Sequence, residues 1–284
     1  MVITKLVGGL GNQLFQYAAG RSLSIKYDSS LLLDISSFDT YTLHKFGLTP
    51  FQLKADVIGY KTLVELLDVE KKCFAFKKRM ITPVNESQFS YNLEFSSFHN
   101  NSYLKGYWQS EKYFLNIRQL LIEEISISSN SMLSDADRTI LEKIKMTNSC
   151  SIHLRRGDYI SNKSTNEVHG VCSLNYYYDA ILKLSELTKI DHFFIFSDDP
   201  DWVSKNLELE VPFTLVRHNG PERNYADFEL MKSCNHQIIA NSTFSWWAAW
   251  LNNDMNKIVV APKRWFLSNE FDTKDLIPDN WLKI

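Results

Sequence analysis

The sequence predicts an α/β protein of two domains built on parallel sheets, and three observations carry this. Strand-like runs recur at residues 150–154, 192–196, 212–216, 236–240 and 257–261, with helix-length segments between them. Such alternation gives a parallel sheet with crossover helices. The N-terminus reads strand, glycine turn, helix and strand over residues 2–34. A chain of 284 residues is also about two domains long, at roughly 100–200 residues each.

Taken in order, VITKLV at 2–7 is a short strand running into GGLGNQ, and a helical pattern follows from Leu14 to about Lys26. Leu31, Leu32 and Leu33 form a second strand that ends at Asp34. From about 40 to 120 the signals weaken. Pro50 and Pro83 punctuate the stretch, helices are expected around 55–71 and 112–123, and no topology follows. The polar run SISSNSMLS at 126–134 marks the domain junction, and a helix-like segment ends near Lys145, so the domains are placed at 1–145 and 146–284. In the second half, helices are expected at about 174–188, 200–207, 224–234 and 244–253.

Composition narrows the function. Lys and Arg number 31 against 33 Asp and Glu, a net charge of −2, so no basic field calls for nucleic acid and any anion must be held by local groups. With 44% hydrophobic and 13% aromatic residues the chain is globular rather than disordered. Cys73, Cys150, Cys172 and Cys234 are scattered, without metal-ligand spacing, and read as free thiols. No apolar run approaches the ~18 residues of a membrane span. No export signal is read at the N-terminus, so the expected location is cytoplasmic and the N-x-S/T triplets carry no glycan.

Parallel sheets bind ligands beyond the carboxyl ends of their strands, which selects the loops 155–158, 197–201, 217–223 and 241–245. In the first, Arg155, Arg156, Gly157 and Asp158 follow His153. Two guanidiniums at a sharp turn suit a phosphate, with an ion pair to Asp158 as the plainer alternative and a core role as that for His153. The second, Ser197-Asp198-Asp199-Pro200-Asp201, offers a D-x-D cation pattern, but helix capping is the simpler role for Asp199 and Asp201. Asp198, nearest the strand, is the better candidate for a ligand contact. In the last, Asn241, Ser242, Thr243, Phe244 and Ser245 open onto a helix whose first amides suit an anion, while Trp246 and Trp247 suit core packing.

At the N-terminus, Gly9-x-Gly11 with Asp34 about 20 residues on suggests a dinucleotide turn, but Leu14 stands where the third glycine belongs. Asn12 and Gln13 look like contacts to a hydroxyl-rich ligand. Lys71, Lys72, Lys77, Lys78 and Arg79, interleaved with Phe74 and Phe76, read as a solvated surface, with an anionic membrane as the other role.

Together GGLGNQLFQYAAG at 8–20, HLRRGDY at 153–159, FSDDPDW at 196–202 and NSTFSWWAAWL at 241–251 resemble the bacterial α-1,2-fucosyltransferases of glycosyltransferase family 11. The resemblance implies a GT-B fold, two Rossmann-like domains facing a cleft, with GDP-fucose on the second. It implies inverting, metal-independent transfer of L-fucose to the 2-hydroxyl of a galactose-type oligosaccharide or lipid-linked glycan. Surface polysaccharide or O-antigen assembly, at the inner face of the membrane, is the setting it suggests. By position, Arg155 resembles the diphosphate clamp, and His153 and Asp227 the pair at the guanine. Ser242, Thr243, Phe244 and Ser245 resemble the diphosphate loop, and Asn12 the amide reaching the donor from the first domain.

Charge growing on the departing diphosphate must be neutralised, and Arg155 with the helix start near Ser245 are the groups available. The acceptor base stays open between Asp158, ranked first, Glu167 and Asp34. The competing readings are a nicotinamide-dependent dehydrogenase built on residues 8–34 and a non-catalytic sugar-nucleotide-binding protein.

Overall fold

In the computed structural model, Met1–Ile125 with Asp272–Leu276 form one unit, and Ser126–Phe271 with Ile277–Ile284 a second. Residues 1–72, 81–157 and 163–284 are described. Asp158, Cys73 and the Phe74, Phe76, Lys77, Lys78 and Arg79 part of the basic cluster lie outside the described residues.

The first unit holds a five-stranded sheet of β1 (Val2–Lys5), β2 (Leu31–Asp34), β3 (Asp56–Ile58), β4 (Thr82–Asn85) and β5 (Ser102–Lys105). The order is β3-β2-β1-β5-β4 and every pairing is parallel. Its last three strands fall where the sequence suggested no topology. β3 and β4 are short edge strands with mostly exposed side chains, and β4 contains Pro83, so neither prints an apolar run.

The Leu10–Lys26 helix is buried around most of its circumference. It lies so close to β1 that a Cβ on Gly20 would stand 2.1 Å from Thr4 Oγ1 and 2.9 Å from Leu31 Cδ1. The close helix-to-strand approach that Leu14 seemed to forbid is thus made two turns later, by Gly20. Asp34 is fully buried; its Oδ1 accepts from Ser36 N at 2.9 Å and its Oδ2 from the Tyr103 hydroxyl. That corrects its reading as a ribose acid or an acceptor base, because both oxygens serve the fold.

The second unit carries six parallel strands, β6 (Ser149–Leu154), β7 (His192–Ser197), β8 (Phe213–Val216), β9 (His236–Ile238), β10 (Val259–Ala261) and β11 (Leu282–Lys283). Their order is β11-β10-β9-β6-β7-β8. β6 is buried throughout, and so is β7 as far as Phe196, which explains the apolar run from Phe193 to Phe196 and why the polar residues of β6 are the small Ser149 and Ser151 and the bonded His153. Ile152, Leu154, Phe193 and Ile195 pack with Tyr177, Ala180 and Leu184 of the Leu174–Ser185 helix. Trp246 and Trp247 are completely buried, as core residues.

The second unit begins at Ser126, at the start of the polar run expected to mark the junction, and takes in the Asp135–Lys145 helix that a bound at 145/146 leaves in the first. Its capping-box residue Asp137 is bonded from Arg223 at 2.7 Å and from Asn219 at 2.8 Å, which ties the helix to the later half of the chain. Among the described residues no helix is long and apolar enough to cross a membrane.

Candidate functional site

β6 and β7 run in register to their ends, with Leu154 opposite Ser197. The residues that follow, Arg155 and Asp198, therefore emerge side by side. Arg155 Nη1 lies 2.8 Å from Asp198 Oδ2, both side chains about a quarter exposed (24%). Asp198 Oδ1 accepts the Arg156 amide at 2.8 Å. A Cβ at Gly157 would sit 2.7 Å from Asp198 Oδ2, so glycine is what lets the arginine turn close over this carboxylate. Asp198, expected to meet the ligand, uses one oxygen on each arginine and keeps its side chain about a quarter exposed.

Arg156 has different surroundings. Its Cζ lies 3.5 Å from the Trp202 ring centroid and its Nε 3.4 Å from Asp199 Oδ2. Asp199 also caps the Pro200–Asn206 helix by accepting from Trp202 N, and Asp201 pairs with Arg217 at 2.9 Å. The D-x-D aspartates thus have capping and surface partners. Among the described residues no group of three or more His, Cys, Asp or Glu side chains is arranged to hold a metal.

The Thr243–Leu251 helix begins after β9. Its N-cap residue, Ser242, makes no side-chain capping bond, so the first-turn amides are not closed by their own cap. Asn241 anchors the preceding loop by donating to the carbonyls of His169 at 2.9 Å and Trp265 at 3.1 Å. Ser245 is buried, with its Oγ 2.9 Å from His153 Nδ1. Burial lowers His153 to about 4, which keeps the imidazole neutral near pH 7. Phe244 packs on His153 with centroids 5.7 Å apart and on Phe228 at 5.6 Å. Thr243 and Phe244 are the half-buried residues of this turn, while Ser242 and Ser245 face inward.

Asp227 lies in the first turn of the Asn224–Ser233 helix, one residue before Phe228. Burial raises its carboxyl to about 6 against the opposing bond from Asn219, whose Nδ2 donates to Asp227 Oδ1 at 2.8 Å. That Nδ2 also donates to Asp137 Oδ1 at 2.8 Å, and Asn219 Oδ1 accepts from Arg223 Nε at 3.1 Å. His218 Nε2 reaches Asp137 Oδ1 at 2.8 Å. Burial pushes Asp137 upward, but its bonds from Asn219, Ser134 and His218 outweigh this and hold the carboxyl well below the usual range. Asp227 is therefore bonded into a network with Asn219, while His153 is bonded to Ser245.

In the first unit, Asn12 stands in the first turn of the Leu10–Lys26 helix. Its Oδ1 accepts from Gln109 Nε2 at 3.0 Å, and a Cβ on Gly8, at φ +84°, would fall 2.6 Å from its Nδ2. Gln13, by contrast, is fully buried and ties its own loop together, donating to Gly8 O at 2.8 Å and Lys45 O at 2.9 Å. Gln109 is held by its neighbour: Trp108 has φ +56°, and the amides of Tyr107 and Trp108 donate to Glu86 at 2.7 and 2.9 Å. Of the remaining acid candidates, Glu167 is exposed on the Lys163–His169 helix.

Sequence reasoning missed Asn219, Arg223, Asp137, Trp202 and Gln109. Asn219 and Arg223 both lie in the strand-end loop 217–223 selected above, so position was a signal. Asp137 carried only a helix-start pattern, and Gln109 sits where no strand was legible.

The glycosyl transferase family 11 model matches residues 90–284. The chain is 36% identical to the alpha-1,2-colitosyltransferase of Escherichia coli, covering 100% of this chain and 99% of that protein. It is 32% identical to the O-antigen biosynthesis glycosyltransferase WbnK of E. coli over 98% and 99%. Among solved structures, a variant of Arabidopsis thaliana FUT1 in complex with GDP aligns with a TM-score of 0.53 at 10% identity, covering 99% of this chain and 75% of that one. The two-sheet architecture is accordingly of the GT-B type, and the protein is a glycosyltransferase belonging to glycosyltransferase family 11.

Proposed function

We propose that this enzyme transfers L-fucose from GDP-fucose to the 2-hydroxyl of a galactose-type acceptor, with inversion and without a metal ion, in assembly of a surface polysaccharide such as O-antigen. The observation that carries the reading is the Arg155 guanidinium, anchored by Asp198 at a strand end of the sheet whose next strand leads into the open Thr243–Leu251 helix start. A fixed cation and a helix terminus are what a departing diphosphate needs, since its charge grows in the transition state. Support also comes from the GDP in the Arabidopsis neighbour and the 1,2 linkage in the name of the E. coli relative.

In this mechanism Arg155 and the first amides of the Thr243–Leu251 helix take up the leaving-group charge, with Thr243 and Phe244 lining the turn. His153, neutral and fixed by Ser245, and Asp227 receive the base. Asn12 supplies an amide to the donor, and Asp158 takes the acceptor proton, with Glu167 as the alternative.

The relationship to the colitosyltransferase favours a second donor, GDP-colitose, whose sugar is fucose lacking the 3-hydroxyl. The test offers GDP-fucose and GDP-colitose separately with a panel of β-galactosides in EDTA, following GDP release and the product linkage by NMR. Transfer of fucose to O2 is expected. Turnover of GDP-colitose alone selects the second donor, and activity that EDTA abolishes and Mg²⁺ restores refutes the metal-free mechanism.

A further inference from the structure

We infer that Asn219, locked in place by Arg223, is the positioning residue that aims the Asp227 carboxylate at the paired N–H donors of the guanine base, and so sets the preference for guanine nucleotides. This deepens the GDP-sugar reading above and rests on it. The amide orientation is settled by its neighbours: Arg223, a donor only, bonds Asn219 Oδ1 at 3.1 Å, which turns Nδ2 toward the two carboxylates. Nδ2 then bridges Asp137 Oδ1 and Asp227 Oδ1 at 2.8 Å each. Asp137 is completely buried and ion-paired to Arg223 Nη2 at 2.7 Å, so the bridge rests on a fixed charge pair.

The bond from Asn219 fixes the carboxylate plane of Asp227, whose Oδ2 takes no part in it. Asp227 is half-buried in the first turn of its helix, next in sequence to Phe228, which packs on Phe244, the neighbour of His153. Guanine presents N1–H and a 2-amino group together, a donor pair that one oriented carboxylate accepts. Hypoxanthine lacks the amino group, and adenine presents an acceptor at N1. A carboxylate free to rotate would still attract donors but would discriminate less among them.

The test is calorimetric binding of GDP, IDP and ADP to the full chain, as wild type, Asn219→Ala and Arg223→Lys, with melting temperatures alongside. In Asn219→Ala, GDP affinity is expected to fall about 10- to 100-fold, as for loss of a bond to a charged group, and the GDP-over-IDP preference to shrink. Arg223→Lys keeps the charge but releases the amide, and should shift the preference the same way by less. An unchanged GDP-to-IDP ratio in either variant, if folded, overturns the inference. A wild type that does not prefer GDP to ADP overturns instead the donor reading on which it rests.

Discussion

Arg155 Nη1 and Asp198 Oδ2 meet at 2.8 Å because two buried parallel strands end level with one another. The cation at the centre of the proposed site is thus oriented by sheet register before any ligand arrives, and preorganisation of this kind is what makes electrostatic stabilisation effective.

Asp198→Asn keeps the shape beside Gly157 and an acceptor for the Arg156 amide but removes the charge that holds Arg155. The kcat should fall about tenfold with a smaller effect on the donor KM, since the anchor orients Arg155 toward charge that grows in the transition state, while the pair is partly exposed and Arg155 remains. Steady-state kinetics check this. An unchanged kcat would mean that Arg155 needs no anchor.

Arg156→Ala should separate the two arginines. Its guanidinium lies on the Trp202 ring and beside Asp199, so its loss should lower stability by about 1 kcal/mol and leave kcat within a few-fold of wild type. Thermal melting together with initial rates reads both effects.

Asp227 predicts a pH dependence. Its carboxyl, raised by burial to about 6, must be ionised to accept the base. GDP affinity should therefore fall as pH is lowered through about 6, by up to roughly tenfold per unit below it. Asp137, His218 and Arg223 face the group through Asn219. His153, lowered to about 4 by burial, remains neutral in this window. For the fold the sign is opposite: a raised carboxyl favours the native state when protonated, so stability relative to Asp227→Asn declines from about pH 4 to 6 and is flat above. Calorimetry and melting curves from pH 5 to 8 test both.

Gly20→Ala should destabilise the first unit by about 1–3 kcal/mol, the usual range for an overpacked core, because the added carbon meets Thr4 Oγ1 at 2.1 Å. Combining it with Thr4→Ala should recover part of the loss, and a fully additive pair in denaturant titrations would refute the contact.

The second half of the chain was legible because β6 and β7 are buried strands made mostly of apolar or small side chains, and the helices between them keep a regular length. The site loops followed from that sheet, since position after a strand is readable once the strand is. The first half was less open. β3 and β4 have exposed side chains, and their place in the sheet is set by pairing with β2 and β5, which no local pattern announces. One assignment changed for a physical reason: Asp34 is consumed by Tyr103 and Ser36, while Asp198 also carries the two arginines beside it. Asn219 and Arg223 act by bonding other side chains, and such second-order roles leave no trace in residue type or spacing.

The most direct test of the account is the transfer rate of folded Arg155→Ala with a saturating GDP-sugar donor and galactoside acceptor. If Arg155 carries the leaving-group charge, kcat should fall on the order of 10²–10³ with the melting temperature of the free protein little changed. A kcat within a few-fold of wild type, or one equal to that of Arg156→Ala, would contradict it.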